Sequence, residues 1–172
     1  MSAIDASTEG EFQISTAWFG PSLVVLRVLI GWHFLYAGLT KLLNPGWSAA
    51  GFLTFGVAEE NPVKWFFTGM AESSYLWLID ILNMTGLTLI GLALILGIAF
   101  RFSAFWGSVI MLFYWTAHLP LEHSIIVSEH IIYVAVLFGL GAFGAGRYFG
   151  LDEYIEEWPI VENNPWLRYF LG

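Results

Sequence analysis

The chain has 172 residues, of which 58% are hydrophobic and only 12% charged, with a mean hydropathy of +0.70; that balance excludes an ordinary soluble domain and predicts one compact, all-α polytopic membrane domain. The net charge of −8 and the lack of any basic patch exclude nucleic acid as a partner, and an acid-rich, lysine-poor surface suits the high-salt cytoplasm of a halophile. The absence of cysteine removes thiolate nucleophiles, disulfide relays, iron–sulfur clusters and c-type haem attachment.

Residues 1–16 are polar and acidic and read as a mobile tail. No basic n-region of a cleavable signal peptide precedes the first apolar run. Trp18 is placed as an interfacial anchor and Pro21 can start a helix. The first predicted span, 22–43, is long enough to cross ~30 Å of hydrocarbon at ~1.5 Å per residue. Within it Arg27, Gly31, Phe34, Gly38 and Lys41 follow steps of four, three, four and three, which keeps them in one stripe. That stripe is a packing face with a cation at each end, and its glycines let a second helix or a flat ligand come close. Trp32 and His33 lie off it.

Asn44-Pro45-Gly46 is a stop. From 47 to 75 aromatic residues are interrupted by Glu59-Glu60-Asn61-Pro62, which predicts two short amphipathic helices at about 48–57 and 62–72, lying in the interface and roofing the bundle. The second span is predicted at 76–100, with Asp80 and Asn83 near its start and Arg101 closing it. The third, 102–121, carries Tyr114 and His118 and stops at Pro120. The fourth, 124–143, carries Glu129 and His130 in its first two turns, so Glu129 is expected more than a turn inside the helix. Residues 17–147 form the membrane domain and 148–172 an acidic surface tail. The expected fold is thus a four-helix membrane bundle with an interfacial helical segment between helices 1 and 2.

Four spans put both termini on one side. Arg101, Arg147 and Arg168 on that side outnumber Lys41 and Lys64 on the other, which favours cytoplasmic termini. With alternating helix directions, Lys41, Asp80, Asn83, His118, Glu129 and His130 fall within two turns of the leaflet roofed by 47–75, and His123 lies in the loop above. Each has a plain reading. Lys41 can snorkel, Asp80 can lock two helices together, and His118 can form a polar pair with Tyr114. A carboxylate at the depth expected for Glu129 must be paired or protonated. Arg27 reads as structural. Bis-histidine haem fits poorly, because His33 is unpaired near mid-membrane. The set His118, His123, Glu129 and His130 matches no metal spacing. No haem, flavin or metal is predicted.

The pattern R-x3-GW-x-F-x3-G-x2-K from Arg27 to Lys41, followed by Leu42-Leu43-Asn44-Pro45, resembles the first-helix signature of the DoxX superfamily, and its DoxD-like branch most. The Gly91–Arg101 stretch, the acid at Glu129 and the ending Gly144-Ala-Gly-Arg147-Tyr-Phe-Gly-Leu-Asp152 resemble later family motifs. The DoxD-like branch is described as the membrane subunit of thiosulfate:quinone oxidoreductase. The resemblance implies oxidation of two thiosulfates to tetrathionate coupled to reduction of a membrane quinone, the quinone being a co-substrate. Lys41 and Lys64, with protonated His118 or His123, would then hold the anion. The ring would lie along Gly31/Gly38 against Phe34, Trp32, Tyr114 and Asn83, and Glu129, His130, His118 and Asp80 would handle protons. Gly31, Gly38, Arg27, Arg101 and Arg147 would be structural. The competing reading is a non-catalytic anchor or accessory subunit of a redox complex, docking through 47–75. Expected partners are membrane lipid, quinone, and a second subunit or a second copy.

Overall fold

The computed structural model describes residues 16–121 and 124–172. The expected tail lies outside them except for Thr16, and so does His123. All regular structure among the described residues is helical: α1 Thr16–Leu42, a π-helical turn Phe52–Gly56, α2 Lys64–Ala71, α3 Leu76–Leu96, α4 Phe100–Ala117, α5 Glu129–Ala142, α6 Asp152–Ile155, α7 Pro159–Glu162 and a 3₁₀ turn Pro165–Tyr169.

α1 buries Leu23, Arg27, Ile30 and Phe34, the spacing of one helical face, against α3. The glycines of its stripe let the two backbones meet: a Cβ on Gly38 would lie 2.5 Å from the Thr88 amide nitrogen, and one on Gly31 would lie 2.8 Å from Ile95 Cγ1. α3 ends earlier than expected, at Leu96, because Gly97 takes a left-handed φ of 66° that stops the helix. Arg101 therefore lies in the first turn of α4 rather than closing α3. α5 starts later than expected, at Glu129, because Ser128 is still extended at φ −123°, ψ 174°.

Leu23, Ile30, Phe34, Leu87, Leu94, Phe100, Met111 and Leu137 make one core shared by α1, α3, α4 and α5. A smaller core of Leu53, Val57, Phe67 and Ala117 seats the 47–75 segment on the end of α4. Asn61 completes that joint, its Nδ2 donating to the carbonyls of Thr116 at 2.9 Å and Ala117 at 3.1 Å, which a helix C-terminus would otherwise leave without donors.

Residues 148–172 are docked on the bundle through Asp152. Asp152 is 0% exposed, and its carboxylate accepts from the amides of Ala99 at 2.7 Å, Phe100 at 2.9 Å and Gly172 at 2.8 Å. Arg27 donates to the carbonyls of Ala145, Tyr148 and Phe149 in the same corner.

The outer surfaces of the long helices are apolar. Leu89 is 64% exposed and Phe138 77%, a pattern suited to lipid rather than water. Trp18–Leu42 and Leu76–Leu96 are long and apolar enough to cross a bilayer. α4 has 18 residues and α5 has 14.

Candidate functional site

α1 and α4 bring their C-terminal ends, and α3 and α5 their N-terminal ends, to the 47–75 cover. Tyr114 and His118 are one turn apart on α4 and share a face. His118 Nδ1 lies 2.8 Å from the Tyr114 carbonyl oxygen. A carbonyl only accepts, so Nδ1 carries a proton. The His118 ring faces that of His130 at 4.8 Å, tilted by 34°, and the His130 ring meets Tyr114 edge-on at 6.2 Å. His118 is exposed and His130 buried.

Below the imidazoles, Asn83 Nδ2 donates to the Tyr114 hydroxyl at 2.7 Å, while Asn83 Oδ1 is buried with no hydrogen-bond partner among the described residues. Phe52 of the cover lies 5.8 Å from the His118 ring and 6.5 Å from that of Tyr114. Asn83, Tyr114, His118 and His130 are therefore one cluster.

The other expected site residues are placed elsewhere. Asp80 accepts from the Ala49 amide at 2.7 Å and pins the start of the cover to α3. Lys41 Nζ donates to the Ala37 carbonyl at 2.9 Å and lies 5.6 Å above the Trp47 ring. Lys64 pairs with Glu59 on the cover itself. Glu129 is exposed in the first turn of α5, a position where the helix dipole favours an acid, rather than more than a turn inside. Trp32 is 57% exposed and Phe34 0%, so they do not form one wall. Arg101 Nε donates to the Gly141 carbonyl, and Arg147 pairs with Glu156.

The Gly31/Gly38 stripe has no room for a ring, because α3 fills it. Open space lies on the other side of α3, in a groove of about 780 Å³ against α4. Its walls are almost wholly apolar, Leu82, Gly86, Ala93, Trp106 and Ile110 among them, and Asn83 and Tyr114 line its covered end. Sequence reasoning missed this groove. The signal for it was Gly86 and Ala93, small residues two turns apart on one face of α3. Among the described residues no group of three or more potential metal ligands occurs.

The sequence matches the DoxX family over residues 22–119, more than half of its length. The chain belongs to the DoxX family. No curated protein and no solved structure matches it. With its apolar helices, this DoxX chain is a membrane protein. The DoxX match takes in Lys41, Asp80, Asn83, Tyr114 and His118 and stops before His130 and Asp152.

Proposed function

We propose that this DoxX protein is a DoxD-like, four-span membrane subunit that reduces quinone with electrons from thiosulfate or a related reduced sulfur anion. Both termini face the cytoplasm in this reading, on the side of Arg101, Arg147 and Arg168. The observation that carries it is the His118–His130 pair stacked beside Tyr114 at the covered end of the helices. Reducing one quinone takes up two protons with the two electrons that two thiosulfates release on forming tetrathionate. His118 is exposed and His130 is buried against it, so the pair can pass protons inward. Lys41, over Trp47, supplies positive charge at the same end.

The test is thiosulfate-dependent reduction of a short-tailed quinone by the protein in lipid nanodiscs, followed by quinone absorbance. Wild type is expected to turn over, and His130→Asn to slow it by roughly 10²-fold, the scale of a lost general acid–base group. Inert wild type, or an unaffected variant, rejects the reading.

A second reading has its own support. Lys64 is paired with Glu59, which leaves Lys41 to bind the sulfur anion together with cations of another chain. The protein would then be an accessory quinone-side subunit. It would co-purify with a larger redox complex, and thiosulfate oxidation would appear in the complex alone.

A further inference from the structure

We propose that the groove between α3 and α4 is the seat of the quinone, its isoprenoid tail lying along Leu82, Gly86 and Ala93 and its ring oxygen read by the Tyr114 hydroxyl, which Asn83 positions. This rests on the quinone-linked reading and adds where, and by which atoms, the substrate is held.

The groove's volume of about 780 Å³ lies within the ~300–1,000 Å³ usual for small-molecule sites. From Asn83 to Ala93 it follows α3 for ~15 Å at ~1.5 Å per residue, the shape of a long tail rather than a compact solute. An apolar tail alone would not explain its covered end. The Tyr114 oxygen accepts from Asn83 Nδ2, so its own O–H remains to donate. One donor therefore stands where the groove ends, and Asn83 holds it from behind, its own Oδ1 buried. A quinone carbonyl takes the tyrosine O–H. A fatty acyl chain offers it no acceptor. The other candidate surface, the Gly31/Gly38 stripe, is closed by α3. The ring so placed lies on the far side of Tyr114 from solvent-exposed His118, with His130 edge-on to the same tyrosine. Reduction adds two electrons, one from each of two thiosulfates joined as tetrathionate, and two protons, one to each ring oxygen.

The probe is a decyl-tailed benzoquinone carrying a photoreactive azide, added to the protein in nanodiscs and mapped by mass spectrometry, with binding measured by competition against the unmodified quinone. Wild type is expected to be labelled on α3 and α4 within 79–93 and 102–114. Gly86→Leu reaches into the groove from a position where a Cβ meets nothing closer than Ile110 Cδ1 at 3.9 Å; it is expected to weaken binding at least about tenfold with an unchanged unfolding midpoint. Tyr114→Phe, which removes one hydrogen from the head end, is expected to weaken it about 2- to 10-fold, the worth of one net hydrogen bond. Labelling elsewhere, or equal binding by Gly86→Leu, overturns the proposal. So does equal competition by dodecanol, which makes the groove a site for lipid tails only. Labelling in the groove by a protein that never reduces quinone with thiosulfate upholds the site and sinks the catalytic reading. Reduction undiminished in Gly86→Leu does the reverse.

Discussion

Asp152 receives three buried amide hydrogens, from Ala99, Phe100 and Gly172, and so joins the start of α4, the α6 turn and residue 172 through one side chain. Burial pushes its carboxyl up from the usual carboxylate range, while the three N–H donors pull it down. Asp152→Ala leaves those donors without an acceptor and is expected to cost about 2–4 kcal/mol. Asp152→Asn keeps one acceptor oxygen and no longer buries a charge, so it is expected to cost less. Thermal unfolding of both variants in detergent gives the order, and equal midpoints for wild type and Asp152→Ala would refute the account. That Arg27 must find acceptors was legible, because it is a cation inside an apolar helix. Asp152 was not. Its partners are backbone groups of distant elements, and among the other acids of 148–172 nothing in local composition marks it as buried.

Between elements, the contact of α1 with α3 depends on missing side chains. Gly38→Ala would set a Cβ 2.5 Å from the Thr88 nitrogen, and is expected to destabilise by about 1–3 kcal/mol as the helices separate. Gly139→Ala is the control: nothing lies within 4 Å of a Cβ there, and helix propensity favours alanine by up to ~1 kcal/mol. The two changes should move the unfolding midpoint in opposite directions. The cover is held differently, by the Asp80–Ala49 and Asn61–Thr116 hydrogen bonds. Asp80→Ala is expected to speed amide exchange across 49–57 by about tenfold, the loss of one hydrogen bond to a charged group, with α1 and α3 unchanged. Exchange rising equally everywhere would mean that Asp80 holds the bundle, not the cover. Asn44-Pro45-Gly46 and Glu59-Glu60-Asn61-Pro62 made these elements readable. Their ends were less so: Gly97 fell inside the predicted 76–100 span, and only its positive φ shows that it stops α3.

For the whole molecule, depth was readable and contact was not. The short α3–α4 link forces those two helices to run antiparallel, and alternating helix directions through the bundle carry Lys41, Asp80, Asn83, His118 and His130 to one end. Which of them touch depends on side-chain direction. Tyr114 turns Asn83 and His130 into neighbours, whereas Lys41 folds back on its own helix and Glu129 stays outside. The same view exposes an imbalance. α1 and α3 reach ~40 and ~31 Å, but α4 only ~27 Å and α5 ~21 Å against a hydrocarbon core of ~30 Å. If all four cross, as proposed, the bilayer must thin beside α5, or the extended stretch before it must complete the crossing. That stretch is apolar and open, Ile125 being 91% exposed, and the Trp115 indole ties it to α4 by donating to the Ile126 carbonyl at 2.9 Å. Mismatch costs fractions of a kcal/mol per ångström, enough to read in a membrane series. The protein is expected to unfold at higher temperature in nanodiscs of 14-carbon lipids than of 20-carbon lipids, and Trp115→Phe, which frees the stretch, should widen the difference. A flat or reversed trend would mean that α5 does not cross the bilayer, leaving α1 and α3 as the spans.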